Sequence, residues 1–391
     1  MRVSAACVAI GCTLFASACN VDVGTTAPQT LPTLGTPSNT LPPTTATTVA
    51  ASADQATTST MALPGDACVF STPTAAAEVT FEVGTRLYSV SPGSGAPVSC
   101  LAELTLDQVG PLRWSPAADR VLLNWATVFD GTQALPTGYF STNTRVAWSY
   151  PAGKALIAPA VADNHLLWRT AGEPGTRTDI SFLERTDVAA YHPAGKNIFA
   201  AGQAADGTAG LYLASNRGAN SQLIAELDDP QTLITEIAPD PSGSRVYFVH
   251  DHRNGTFHVH VLDLPNLALA DVTQVAAPVT KLTIGTTPNV AIAWRLGECD
   301  GRTQVDNSGV VVDQPPIFAA LSTEPIGWID AQQLVVSARA SGCTGPSELW
   351  IWNIATASAT LLVSGVDEAA IRSVLPAFGE LPGDINSAAP G

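Results

Sequence analysis

The chain has 391 residues, 46% of them apolar, with 34 acidic against 18 basic side chains and a formal net charge of −16. That is enough chain to bury a large core. The acidic balance argues against nucleic acid as a partner and against adsorption to anionic lipid.

After Met1-Arg2 the chain runs apolar and small from Val3 to Ala18. This is the length of a signal-peptide core and too short for a stable membrane span. Residues 1–18 are therefore expected to be a signal peptide. The junction Ala16-Ser17-Ala18-Cys19 reads in two ways: as a lipobox with Cys19 as the lipidated first residue, or as an Ala-x-Ala site for ordinary signal peptidase. The first outcome gives an exported lipoprotein held at the membrane of the cell envelope by its acyl chains, the second a secreted or periplasmic protein. Residues 19–65, rich in Thr, Ala, Pro and Ser and without a basic side chain, are expected to be a disordered tether. As a coil that tether spans roughly 40 Å on average and about 150 Å at full extension.

From residue 66 to about 380 the pattern changes to short apolar strands separated by turns, and 381–391 reads as a disordered tail. One phrase recurs: Arg113-Trp114-Ser115-Pro116 before Val121, Ala147-Trp148-Ser149-Tyr150-Pro151-Ala152-Gly153-Lys154, Ala190-Tyr191-His192-Pro193-Ala194-Gly195-Lys196, and Ala238-Pro239-Asp240-Pro241-Ser242-Gly243-Ser244-Arg245. Proline presets the first turn position and glycine accepts the positive φ that closes a hairpin. Candidate inner strands begin near Leu112, Val146, Val188, Thr235, Val279, Ile326 and Ile371, 34 to 47 residues apart, the spacing of four-stranded blades. The strands at Glu78–Val83 and Arg86–Val90 lack an inner partner, and Ile371–Phe378 supplies one. The expected fold is all-β: a single β-propeller of seven four-stranded blades closed by pairing of its N- and C-terminal strands. Six blades follow instead if the short 112–145 unit is an insertion.

Cys7 and Cys12 leave with the signal and Cys19 takes the lipid, so Cys68, Cys100, Cys299 and Cys343 remain, an even number for an oxidising compartment. Asn289–Gly301 aligns with Gln333–Gly345 at an offset of 44 without a gap, matching Arg295 to Arg339 and Cys299 to Cys343. Both cysteines then leave the second strand of neighbouring blades on the same face of the disc. The expected bridges are Cys299–Cys343 and, by elimination, Cys68–Cys100. Arg295 and Arg339 either line an anion-binding rim or form a repeat-encoded salt bridge.

Four of the six histidines fall between His250 and His260. A two-residue turn at Asn254-Gly255 sets Asp251 opposite His258 and places Asp251, His258 and His260 on one face, with His250 and His252 on the other. Two imidazoles and a carboxylate on one face are ligands suited to Zn²⁺ or Cu²⁺; the alternative is a polar outer hairpin. Trp114, Trp148, Trp328, Trp350 and Trp352 are expected to fill the gaps between blades. No nucleophile elbow, His-Glu-x-x-His or phosphate loop is present, so neither a cofactor nor a catalytic residue is assigned.

The Trp-Ser-Pro-x-x-Gly-Lys phrase resembles the repeat of TolB-type propellers, relatives of WD-repeat proteins, over residues 78 to 378. Signal, Thr-rich tether and propeller together are similar to actinobacterial-type envelope lipoproteins. The resemblance implies a propeller that docks a protein partner on one face of the disc. The other expectation is an enzyme acting on carbohydrate or peptide at the central channel.

Overall fold

The computed structural model describes residues 33–34, 63–73, 75–93, 97–115, 117–124, 127–136, 182–193, 197–215, 220–285, 289–297, 299–312, 314–340 and 346–373, together with the backbone of four strands between 145 and 179. Cys19, Cys343, the signal segment and the tail lie outside the described residues. Apart from 3-10 turns at Leu106–Gln108 and Pro316–Phe318, every regular element described is a strand. Among the described residues no helix is long and apolar enough to cross a membrane.

The first strand, β1 (Thr33–Leu34), precedes the sheets in sequence. The strands β2 (Ala77–Val83), β3 (Arg86–Val90) and β4 (Ser99–Glu103) belong to the first sheet. The second holds β5 (Arg113–Trp114), β6 (Val121–Leu123), β7 (Thr127–Phe129) and β8 (Ala134–Pro136). The third holds β9 (Arg145–Trp148), β10 (Ala155–Ala158), β11 (His165–Arg169) and β12 (Thr176–Asp179). In the fourth are β13 (Leu183–Tyr191), β14 (Asn197–Ala204), β15 (Ala209–Ser215) and β16 (Ser221–Leu227). The fifth comprises β17 (Leu233–Pro239), β18 (Arg245–Asp251), β19 (Phe257–Asp263) and β20 (Ala268–Val275). The sixth comprises β21 (Val279–Ile284), β22 (Asn289–Arg295), β23 (Gly301–Asn307) and β24 (Val310–Val312). The seventh comprises β25 (Leu321–Trp328), β26 (Gln333–Ala340), β27 (Ser347–Asn353) and β28 (Ser358–Val366). Finally β29 (Ala369–Ser373) pairs antiparallel with β2, Val79 opposite Ile371, and completes four strands in the first sheet. Residues 113–136 form a four-stranded sheet of their own.

The recurring phrase has a recurring structure. A backbone bond from the residue that opens the turn to the one that closes it joins Ser115 to Arg120, His192 to Asn197 and Asp240 to Arg245, and turns without the phrase, one residue shorter, are closed likewise from Gly285 to Asn289 and from Ile329 to Gln333. Gly243 takes φ +70° in one of these turns; in the second sheet Ala118 takes the same position at φ +56°, a conformation that costs an L-residue about 1 kcal/mol or more.

Among the described side chains, alternation along the strands gives apolar faces that neighbouring sheets bury against one another in a propeller-like arrangement. Phe199 and Leu211 of the fourth sheet meet Val246, Phe248 and Leu262 of the fifth. Val249 and Val259 meet Val290 and Ile292 of the sixth. Trp350 and Trp352 of the seventh pack with Ala291 and Val305 of the sixth. Val335 and Leu349 of the seventh meet Val79 and Phe81 of the first, and Leu87 and Leu101 of the first meet Leu112 and Val121 of the second. Each fully buried aromatic or aliphatic side chain contributes roughly 1.5–3 kcal/mol. Trp328 adds a cross-sheet hydrogen bond, its Nε1 donating to the Thr283 carbonyl at 3.0 Å.

The segment expected to be an unstructured tether departs from that reading in two places. Thr33–Leu34 pairs in parallel with β16, Thr33 opposite Glu226, and extends the fourth sheet to five strands. An outer strand leaves a row of backbone groups unpaired, and a short β-prone segment can satisfy them. Leu63 already packs on the core between the first and seventh sheets.

Candidate functional site

The histidine-rich hairpin is the most concentrated group of metal-binding side chains described. Its register differs by one residue from the two-residue turn: Asp251 pairs with Phe257 and His250 with His258. The loop is longer because Arg253 takes φ +60°, Gly255 takes φ +86°, and the His252 amide donates to the Thr256 carbonyl at 3.2 Å. Asn254 serves as a loop cap, its Oδ1 accepting the Thr256 amide at 2.9 Å. A one-residue slip moves side chains to the opposite face. Asp251 therefore leaves the histidine face, and its Oδ1 instead accepts the Arg253 amide at 2.7 Å. His250 joins His258 and His260 on the face that packs against the fourth sheet, where His260 contacts Phe248 with ring centres 5.2 Å apart.

The carboxylate on this face comes from the outermost strand. A register shift between β19 and β20 sets Asp271 directly opposite His260, a bulge that re-aims one side chain. Asp271 Oδ1 lies 2.7 Å from His260 Nδ1. His258, His260 and Asp271 each offer a ligand atom within 4.8 Å of the others. The sequence reading located both histidines but missed Asp271, which is brought in by strand pairing alone.

The four imidazoles form a closed circuit. Ring centres are 3.9 Å apart for His250 and His252, 4.7 Å for His252 and His258, 5.7 Å for His258 and His260, and 6.0 Å for His250 and His260. His250, His258 and His260 are buried. Outer groups occupy one side of the circuit: His250 Nε2 is 2.8 Å from Thr232 Oγ1, Gln274 hydrogen-bonds His258, and Asp271 meets His260 Nδ1. His250 Nδ1, His252 Nε2, His258 Nε2 and His260 Nε2 are buried without a hydrogen-bond partner. Burial, reinforced by the neighbouring rings, pushes the His250 pKa down to about 3, and burial first of all lowers those of His252 and His258. The lowered pKa values favour the neutral form of these rings, which keeps a lone pair for coordination. The hydrogen bond from His260 holds the Asp271 carboxyl below its usual range.

A second polar group lies on the inner strands. Bulges interrupt the pairing of β13, β17, β21 and β25 with their neighbours, and Asp187, Glu236, Lys281 and Glu324 stand at or beside them. Lys281 Nζ is 3.4 Å from Glu324 Oε1, and Arg295 Nη2 is 3.5 Å from Glu324 Oε2. Burial works against the Glu324 carboxylate, but Lys281, Arg295 and Arg113 outweigh it and hold its pKa down. Burial, with Glu324 nearby, pushes Glu368 up. The two equivalent arginines have different partners: Arg295 pairs with Glu324, whereas Arg339 donates to Ser347 Oγ from Nε at 3.1 Å and Nη2 at 2.6 Å.

Cys68 and Cys100 form a disulfide with Cα atoms 4.5 Å apart. Cys299 is also disulfide-bonded. Among the described residues six large apolar side chains are exposed, and four of them belong to the sixth sheet and its link to the seventh: Leu296, Val310, Val311 and Ile317.

No known family profile matches the chain, and no curated protein matches it. Solved structures are similar to it in fold. A protein described as a TolB of Agrobacterium tumefaciens is 12% identical over 67% of this chain and 99% of its own, with a TM-score of 0.44. An oligogalacturonate lyase of Vibrio parahaemolyticus is 12% identical over 57% of this chain and 68% of its own, with a TM-score of 0.43. The dipeptidyl peptidase 4 of Porphyromonas gingivalis is 12% identical over 77% of this chain, which spans about half of that enzyme (53%), with a TM-score of 0.44. The likeness is one of strand arrangement, and it leaves the chemistry to this chain's own residues.

Proposed function

We propose that this protein is an exported, lipid-anchored β-propeller that acts as a non-catalytic binding module of the cell envelope, with a protein as its partner. The signal segment 1–18, lipidation of Cys19 and the tether that follows belong to this reading, as does a Cys299–Cys343 bridge beside the Cys68–Cys100 one. Disulfides fit an oxidising compartment. The observation that carries the choice of partner is the exposed pair Val310 and Val311, side by side on the outer strand of the sixth sheet. Apolar side chains concentrated on one part of an otherwise acidic surface favour a protein contact. The inner-strand charges Lys281, Glu324 and Arg295 largely neutralise one another, which suits a structural ring better than a catalytic one.

The test is cross-linked recovery from the native envelope with three baits: full-length protein, Cys19→Ala, and the Val310→Asp, Val311→Asp double variant. One protein at near-stoichiometric yield with the first bait, lost with the double variant, supports the reading. Equal recovery by the double variant overturns the assigned surface. Unchanged membrane association of Cys19→Ala overturns the lipid anchor.

A second reading, an enzyme on envelope or extracellular carbohydrate or peptide, has one observation in its favour. Glu368 has a raised pKa close to Glu324 and Lys281, the kind of perturbed carboxyl found at catalytic sites. Turnover of a glycan or peptide library that disappears in Glu368→Gln would favour it.

A further inference from the structure

We infer that the protein binds one divalent transition-metal ion of the zinc and copper class between its fourth and fifth sheets, held by His250, His252, His258 and His260. The inference is independent of the partner reading above. It rests on three features of the site. The rings form a closed circuit with neighbouring centres 3.9 to 6.0 Å apart. Four imidazoles at metal–nitrogen distances of about 2.0 Å around a tetrahedral ion have ring centres about 5 Å apart, which lies in the middle of that range. Each ring also retains a buried nitrogen with no hydrogen-bond partner. Such nitrogens are costly to bury, and an ion at their centre would satisfy all four together.

The outer groups complete the argument. Metal-bound histidines direct their second nitrogen to a carboxylate, hydroxyl or amide that fixes tautomer and ring orientation. Asp271 at His260 Nδ1, Thr232 at His250 Nε2 and Gln274 at His258 occupy those places. Asp271 is thus a positioning residue in the all-histidine arrangement, and its carboxylate stands close enough to enter the coordination shell as well. Imidazole selects zinc, copper or nickel over magnesium and calcium, which require oxygen ligands. A set of four protein ligands is closed, so the ion serves capture or clamping rather than hydrolysis. Because His250, His258 and His260 face the fourth sheet while Thr232 lies in the link between the two sheets, the ion would also tie that seam together.

The experiment uses the full chain, stripped of metal and then titrated calorimetrically with Zn²⁺, Cu²⁺, Mg²⁺ and Ca²⁺, with Co²⁺ absorption as a report of coordination. Expected are one Zn²⁺ or Cu²⁺ per chain, no binding of Mg²⁺ or Ca²⁺, tetrahedral Co²⁺ bands and a raised melting temperature. The His258→Ala, His260→Ala double variant should lose stoichiometric binding. Asp271→Asn should weaken it roughly 10–100-fold, and Asp251→Asn should leave it unchanged. The partly exposed His252→Gln serves as a second ligand variant that keeps the core intact, with near-UV circular dichroism to confirm folding. The inference is overturned if the folded wild type takes up no ion, if a folded ligand variant binds as well as wild type, or if Asp251→Asn matters as much as Asp271→Asn.

Discussion

Arg372 offers the sharpest test of how the two ends of the domain are held. It lies on β29 and is fully buried, with 0% of its surface exposed. Its guanidinium donates to the Ala118 carbonyl at 3.1 Å and the Ser71 carbonyl at 2.5 Å, and Nη1 is 3.7 Å from Glu78 Oε2. Its planar head lies 4.3 Å from the Trp114 ring centre and 5.1 Å from that of Phe70. One side chain from the last strand thereby joins the segment before the first sheet, the first sheet itself and the second. Arg372→Met keeps much of the volume but leaves Glu78, also buried, without its cation. Removing one partner of a buried pair costs about 3–5 kcal/mol, and at about 2 °C per kcal/mol for a domain of this size the melting temperature should fall by about 6–10 °C. Urea unfolding and calorimetry of Arg372→Met, Glu78→Gln and the double variant measure this directly. The double variant should be less destabilised than the sum of the singles by at least about 1 kcal/mol. A loss below about 1 kcal/mol in Arg372→Met, or strict additivity, refutes the clasp.

Other outcomes follow from the same neighbourhood. Glu82 is buried, with its Oε2 accepting the Gly110 amide at 3.1 Å, and burial raises its pKa from 4.5 to about 8. The folded chain therefore holds a proton that the unfolded chain releases. The stabilisation is fully present below about pH 4.5 and is lost as pH rises through 8, with an upper limit of about 5 kcal/mol. Urea midpoints measured from pH 5 to 9 should fall less steeply for Glu82→Gln than for wild type. Ala118→Gly relieves a left-handed backbone position and should stabilise by up to about 1 kcal/mol despite the entropy of glycine; a loss of stability in thermal melts would contradict the assigned turn. Opening the Cys68–Cys100 bridge, which spans 32 residues, with paired alanines should cost about 3–4 kcal/mol on a loop-entropy basis, read by denaturant unfolding under non-reducing conditions.

The repeat was legible in the sequence because its turn chemistry is local. Proline, glycine and the polar residue after them specify a hairpin whichever sheet follows, and the one backbone bond from Ser115, His192 and Asp240 is the physical counterpart of that phrase. The inner partner of the first strands was legible as well, since Glu78–Val83 had none of its own. The histidine face was not, because Asn254-Gly255 suits both a tight two-residue turn and the longer loop observed, and the one-residue difference exchanges Asp251 for His250. Asp271 depended on a bulge, a feature with no signature in the alternation of apolar residues. Arg295 and Arg339 show a further limit: equivalent positions in a repeat share a backbone environment, but their partners, Glu324 and Ser347, come from strands that differ in sequence. Nothing near Arg372 in sequence announces its partners, which lie some 250 to 300 positions away.

The pairing of β2 with β29 imposes an order on synthesis. Thr80 Oγ1 donates to the Ala370 carbonyl across 290 positions of sequence. As the chain leaves the ribosome, the four antiparallel strands of each of the second to seventh sheets can assemble one after another. The first sheet, whose outer strands are made earliest, must wait with a bare inner edge until nearly the last residues emerge. Long-range pairing of this kind is slow, and an uncovered edge is prone to associate with other chains. A nascent chain halted before Ala369 would therefore be vulnerable to aggregation and proteolysis, however well its later sheets had formed.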